Sequence, residues 1–468
     1  MRRVWIGLLL LWSCRREWLP PQAGELRFSR DTVVFDSLFS TLLSPTQRLW
    51  VYNPHPFPVV IRSIRLEKAE RSPFRFIFDG QPGPLTQPYT LRPRDSAQVF
   101  LTLQDTTFVN DTRMDRLLWE TEKGLQAVVL RATLIAAYVY RDFGFDSAIV
   151  SFPSDKPIVI DGYFYVGPAA VLRILPGTRL FFSGKRWESG PLRGELASGL
   201  YIAGRLEALG TPAQPITMQG WRLEPYYATA AGQWQGLWFL PTSRANRLLY
   251  TRISQSSIGI RLDSVGDASA PKLYLEGCII YQAANYGILG LSFAPQLPPQ
   301  PTLQAVNTLI FQCGQACAAF VGGGSYQLIH CTLLYDQPDP RRGQTALLIG
   351  DFYRFPDQTL RTYPLNWQAL NSVFWSVKED AVVVETYGTQ PQLSWEFCAF
   401  QQKNPLPGPG HLYPRSLEVG PAAEFYPLRA ESPLIDRGKN EPGLTPMVDL
   451  LGRPRDAQPD IGAYEYLR

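Results

Sequence analysis

Thr251-Arg252-Ile253-Ser254, Gly277-Cys278-Ile279-Ile280-Tyr281, Asn307-Thr308-Leu309-Ile310-Phe311, Cys331-Thr332-Leu333-Leu334-Tyr335 and Asn371-Ser372-Val373-Phe374-Trp375 align as one repeated strand. About ten residues after each comes a second, small-then-aliphatic run. These are Ile258-Gly259-Ile260, Tyr286-Gly287-Ile288-Leu289, Ala318-Ala319-Phe320-Val321, Ala346-Leu347-Leu348-Ile349 and Ala381-Val382-Val383-Val384. A strand pair recurring every twenty to thirty-odd residues is the pattern of a solenoid, in which each turn buries its apolar face against its neighbours. Strands stacked in parallel are covered on both faces, so they read as nearly continuous apolar runs rather than strict alternations. Asn307 and Asn371 share a turn position from which an amide bonds the backbone of adjacent coils. Gly259, Gly287, Ala319 and Ala346 are expected where a larger side chain would clash. An antiparallel sandwich of many strands is the alternative.

The same punctuation extends back to about residue 158, through Val171-Leu172-Arg173-Ile174, Thr178-Arg179-Leu180-Phe181-Phe182 and Leu200-Tyr201-Ile202-Ala203. Before it, residues 26–135 carry short strands at Thr32-Val33-Val34-Phe35, Arg48-Leu49-Trp50-Val51-Tyr52, Val59-Val60-Ile61, Phe74-Arg75-Phe76-Ile77-Phe78, Gln98-Val99-Phe100-Leu101-Thr102-Leu103 and Ala127–Thr133. Separated by Asn53-Pro54, Asp79-Gly80 and Arg92-Pro93-Arg94-Asp95, they predict a β-sandwich of roughly seven strands. The 41 prolines and 37 glycines suit many punctuated turns. A formal charge of +4, with scattered basic residues, gives no nucleic-acid groove and no polybasic membrane patch. Five cysteines, Cys278, Cys313, Cys317, Cys331 and Cys398, follow Cys14. Their odd number and irregular spacing fit buried thiols better than a disulfide framework or a zinc site.

At the start, Arg2 and Arg3 precede the apolar run Val4–Trp12, the layout of a signal peptide. Leu11-Trp12-Ser13-Cys14 resembles a lipobox, which implies cleavage before Cys14 and acylation of that residue. The sandwich resembles immunoglobulin-like domains of the Hydin and major sperm protein type. Gly199-Leu200-Tyr201-Ile202-Ala203-Gly204-Arg205-Leu206-Glu207-Ala208-Leu209-Gly210-Thr211, with Pro215-Ile216-Thr217, resembles the signature of right-handed parallel β-helix proteins. Ser432-Pro433-Leu434-Ile435-Asp436, Asp449-Leu450-Leu451-Gly452-Arg453-Pro454-Arg455 and Pro459-Asp460-Ile461-Gly462-Ala463-Tyr464-Glu465-Tyr466 resemble the choice-of-anchor Q ending of envelope β-helix lipoproteins.

The expected organisation is a leader (1–13), an anchor and linker (14–25), an immunoglobulin-like sandwich (26–135), a right-handed parallel β-helix (136–424) and a C-terminal cap (425–468). In the cap, Asp436, Asp449 and Asp460 beside Arg453 and Arg455 are expected to pin the returning chain over the last coil. With Ile258, Ile260 and Leu262 inward, Arg261 and Asp263 point outward, and Arg252 lies on the same coil. These three are the best cluster for acid–base chemistry. Trp221, Tyr226, Tyr227, Trp234 and Trp238 concentrate aromatic residues in one coil and its loop.

The expected function is a non-catalytic envelope lipoprotein that binds or presents to extracytoplasmic glycans or proteins. Its expected place is the outer membrane, lipid-anchored, with membrane and polysaccharide or envelope protein as partners and no nucleic acid. The alternative is a polysaccharide lyase or glycoside hydrolase of the parallel β-helix type. No cofactor is expected, and calcium enters only under the lyase alternative.

Overall fold

The computed structural model describes residues 20–467 other than 41, 43, 106, 191, 192, 267, 268, 336–344, 378, 379 and 389. The expected leader and Cys14 lie outside the described residues. Two compact units divide between Ala136 and Ala137.

The first unit is all-β. One five-stranded sheet runs Arg27–Phe28, Gln47–Tyr52, Ser96–Leu103, Phe74–Phe78, Gln81–Pro82. The other runs Thr32–Phe39, Gly124–Ile135, Asp111–Thr121, Val59–Leu66, Tyr89–Leu91. The two share a core that includes Leu49, Phe74, Phe78, Val99, Trp119 and Leu130. The long strand Asp111–Thr121, which pairs with Gly124–Ile135 through a tight hairpin, has no counterpart in the sequence reading. Its five charged residues ahead of Thr121 disguise the inward Leu117 and Trp119, both fully buried.

The second unit is a stack of parallel coils with three strand columns, a parallel β-helix-like arrangement. The first two columns are the pair of runs seen in the sequence. Ile253, Ile280, Ile310, Leu333, Phe374 and Phe400 are in register along one. Ile260, Ile288, Ala318, Leu347 and Val382 are in register along the other. The third column is a nine-stranded parallel sheet from Ile149–Phe152 to Gln392–Glu396, roughly 40 Å along the stack at the usual strand spacing. Its inward residues, Leu248, Leu275, Ala305, Leu328, Ala369 and Trp395, complete the buried spine. Its outward row, Glu207, Arg247, Tyr274, Gln304, Gln327 and Gln368, is polar, and the glutamine amides bond one another between coils at 2.9 and 3.2 Å.

One residue turns the chain between the third column and the first. Tyr250, Gly277, Asn307, His330, Asn371 and Phe397 all hold φ between +42° and +63° there. Each next residue is small and polar: Thr251, Cys278, Thr308, Cys331, Ser372 and Cys398. Its hydroxyl or thiol donates to the carbonyl two positions back. Three of the cysteines are therefore thiols standing in a hydroxyl position, and burial pushes Cys278, Cys331 and Cys398 up to about 12. All five described cysteines are buried and free.

Two register expectations change. The tight column before the second strand is Gly199, Gly236, Gly259, Gly287, Cys317, Ala346 and Ala381, because Ile288 pairs with Ala318; Ala319 lies two residues beyond it. A Cβ on Gly287 would lie 2.5 Å from the Cys317 carbonyl and from Ile310 Cγ2, so the space is real. Among the described residues the Asn307 and Asn371 side-chain amides do not bond the backbone of adjacent coils, although Asn371 meets the His330 ring of the preceding coil at 2.8 Å. Those amides donate to the Val448 and Lys439 carbonyls of the C-terminal tail, at 2.6 and 2.7 Å.

The tail itself is placed differently from the expectation of a cap over the last coil. The open end is covered earlier, by residues 401–413, where Leu412 exchanges backbone bonds with Cys398 and Phe400, and His411 and Tyr413 pack on the Phe400 ring. Residues 417–466 instead run back along the flank. Leu417, Tyr426, Leu434, Leu450, Ile461, Ala463 and Tyr464 bury the outward apolar residues Ile279, Leu309, Phe311, Leu334, Val373 and Ala399. The physical reason is that those outward residues are apolar and need cover as much as the end does.

Candidate ligand-binding face

The outward side of the second column carries the most concentrated recognition chemistry. Tyr165, Tyr201, Trp238 and Arg261 are in register on successive strands, about 5 Å apart. Trp187, on the excursion after Phe182, stacks on Tyr163 at 5.4 Å and meets Tyr201 edge-on at 6.4 Å. Tyr201 and Trp238 lie 5.6 Å apart, and the Arg261 guanidinium sits 3.9 Å from the Trp238 ring centre. Asp263 ends the row. It accepts from Arg261 Nε at 2.8 Å and from Trp238 Nε1. Burial pushes the Tyr201 phenol up to about 12, so it stays neutral and donates to the Ala197 carbonyl. Beyond Arg261 the same register position holds Leu289, Ala319, Leu348 and Val383. The face passes from aromatic and charged to aliphatic within one coil.

The three residues expected to cluster do not converge. Arg261 and Asp263 pair with each other, while Arg252 belongs to the neighbouring column and lies against Phe425 of the tail, 5.2 Å from its ring. The strand Thr251–Ser254 and the strand Ile258–Asp263 are separated by a corner, so outward side chains diverge. A lyase would need a carboxylate cluster and a free base across consecutive coils. Here Asp263 already serves Trp238 and Arg261. Among the described residues no group of three or more His, Cys, Asp or Glu side chains is placed to hold a metal ion.

The aromatic set named from the sequence also separates. Trp234 is buried, stacked on Phe182 at 3.9 Å, with Nε1 on the Ser254 carbonyl. Tyr227 lies under Arg222, Tyr226 is 82% exposed, and only Trp238 joins the outward row. Tyr163, Tyr165, Trp187 and Tyr201 went unnoticed because they belong to three different stretches of chain.

The histidines are structural. His55 bonds the Glu25 carbonyl and stacks on Phe57. His411 accepts from the Cys398 N–H at Nδ1. His330 is buried between Gly462 and Asn371, accepting the Asn371 amide at Nε2, and burial with nearby Arg455 holds it neutral. Lys272, unmarked in the sequence, is buried too. Its ammonium donates to the carbonyls of Leu240, Pro241 and Asp263, and burial lowers it to about 8.

The tail residues form one network. Asp449 accepts from the backbone of Leu451, Arg453 and Glu465 and from the Arg453 guanidinium. Arg455 and Glu465, each 2% exposed in their side chains, form a buried ion pair at 2.9 Å. Arg455 also reaches Asn307 Oδ1 and the Gly462 carbonyl, both at 2.9 Å. Asp460 accepts the N–H groups of Asp436 and Tyr466, and burial raises it to about 6. Asp436 joins through its backbone. Glu465, Asn307, Asn371 and His330 are members that the sequence reading did not assign to it.

No protein-family model matches the chain, and no curated protein matches it. Among solved structures, the catalytic unit of a GH87 alpha-1,3-glucanase from Streptomyces thermodiastaticus is 10% identical over 75% of this chain and 73% of that chain, with a TM-score of 0.29. The Agl-KA catalytic domain is 12% identical over 77% of each, also at 0.29. The PapD-like domain 7 of human CEP192 is 12% identical over 25% of this chain and 92% of that one, at 0.17. Likenesses this low carry nothing about substrate or reaction.

Proposed function

We propose that this is a non-catalytic cell-envelope lipoprotein whose coils present a glycan-binding face, held by acylated Cys14 and spaced by an immunoglobulin-like sandwich. The solenoid is read as right-handed, the hand that parallel strand crossovers take almost without exception. The observation that supports glycan binding is the row Trp187, Tyr163, Tyr201 and Trp238, closed by the Arg261–Asp263 pair. Neighbouring rings on one face offer stacking surface to sugar C–H faces, and an adjacent charged pair offers directional bonds to hydroxyls.

Trp238→Ala is expected to weaken binding to a glycan selected from an array by about tenfold or more in calorimetry, the scale of a buried aromatic anchor. Unchanged affinity would sink the assignment of this face. Chain cleavage of polyuronates or glucans, with or without calcium, would instead favour the lyase or hydrolase reading. For the anchor, precursor processing should be globomycin-sensitive and the protein should leave the membrane fraction in Cys14→Ala. Membrane retention of that variant would refute acylation at Cys14.

A further inference from the structure

A second concavity lies at the corner between the first and second columns, bounded by the loop near Thr229 and by Phe425 of the tail. Its volume is about 580 Å³, and Tyr281, Gln282, Phe311 and Gln312 form much of its floor. Tyr281 and Phe311 stack at 5.1 Å with nearly parallel rings, and Phe425 stands edge-on to Tyr281 at 5.7 Å.

Three successive coils place a glutamine at this corner. Gln255, Gln282 and Gln312 hold φ of +62°, +53° and +52°, a conformation few residues adopt without local reason. Gln255 is occupied. Its Nε2 donates to the Tyr227 and Ala228 carbonyls at 3.1 and 2.9 Å, and its Oε1 accepts the Gly220 N–H at 3.1 Å. Gly220 ends the paired strand of the preceding coil, so it is the amide Nε2 that reads the backbone of the loop passing over this corner. Gln282 and Gln312 repeat the backbone conformation one and two coils on. Gln282 Oε1 is buried without a partner among the described residues. Such an acceptor costs about 1–3 kcal/mol until a donor arrives.

We infer that this groove binds an extended peptide segment of a partner protein, its backbone amides answered by Gln282 and Gln312 and an apolar side chain lodged against Tyr281, Phe311 and Phe425. The occupant is argued from the chain's own loop. What sits on the Gln255 Nε2 is peptide backbone, the Tyr227 and Ala228 carbonyls, and Thr229 and Ala231 of the same loop border the ring-lined recess in which Gln282 and Gln312 lie. This site lies on a different side of the coils from the aromatic row and does not depend on it.

The test is panning of random linear seven-residue peptides, displayed on phage, against the full chain, followed by calorimetry of the enriched peptides. Enriched peptides should bind Gln282→Leu/Gln312→Leu at least tenfold more weakly and Trp238→Ala as well as the native chain. The thermal midpoint of the double variant should be unchanged or higher, since an unanswered buried acceptor is removed. Equal affinity for the double variant overturns the proposal. So does a midpoint lowered by several degrees, which would make the amides structural. Failure to enrich peptides, or binding of an N-acetylated oligosaccharide in their place with the same sensitivity to the double variant, overturns it as well.

Discussion

Arg455→Met is expected to cost about 3–5 kcal/mol of stability in the second unit, the scale for removing one partner of a buried ion pair. Glu465 would be left charged and buried, still accepting the Asp460 and Asp456 N–H groups but without its cation. The same substitution strips Asn307 Oδ1 and the Tyr464 carbonyl of the Arg455 donor and leaves the Gly462 carbonyl only His330 Nδ1. The loss should be local before it is global, because the tail can lift while the spine remains packed. Limited proteolysis should therefore cut within residues 414–467 at denaturant concentrations where the native chain resists. Arg455→Met combined with Glu465→Met should recover much of the loss, since replacing both partners removes the uncompensated charge. If the single variant is as resistant as the native chain, the pair is not what holds the tail.

Gly236→Ala should do more. Its φ is +114°, and an added Cβ would lie 1.7 Å from the Ile258 carbonyl oxygen on the next coil. No rotamer change relieves a clash between Cβ and backbone, so the coils would have to separate or the strand Leu237–Phe239 shift register. A cost above about 4 kcal/mol is expected, seen as loss of soluble protein or a collapse of the thermal midpoint. Gly350→Ala is the matched comparison. Its nearest neighbour would be 3.7 Å away, and a change within about 0.5 kcal/mol is expected. Similar behaviour of the two variants would show that the small-residue column does not set the coil spacing.

The parts of the fold legible in the sequence are those where burial alone writes the pattern. Ile253, Ile280, Ile310 and Leu333 stand in aliphatic runs, and their register could be read directly. Past Val171–Ile174, which was read from the sequence, the third column was hidden because only alternate residues are apolar. Arg247, Tyr274, Gln304 and Gln327 make it look like turn, and a single left-handed residue separates it from the next strand. The two-residue error at Ala319 arose because Ala318, Ala319 and Cys317 are all small, leaving size no power to choose among them. The tail blocks were recognised, but not their partners. Arg455 meets Asn307 across 148 residues and Ala463 meets Thr332 across 131, separations at which local pattern carries no information. The aromatic row failed for the same reason, since Tyr163, Trp187, Tyr201 and Trp238 are neighbours only once the coils are stacked.

The returning tail has a bearing on synthesis. A solenoid can add coils as the chain emerges, each new turn settling on the last. The apolar flank from Ile279 to Ala399, however, is covered by residues as late as Ile461 and Tyr464. Until translation passes those positions, a chain with its spine already formed still displays a greasy stripe that holdases and proteases recognise. Products of premature termination would wear that stripe permanently. Residues 461–464 thus distinguish a chain whose flank is covered from one that merely has all its coils.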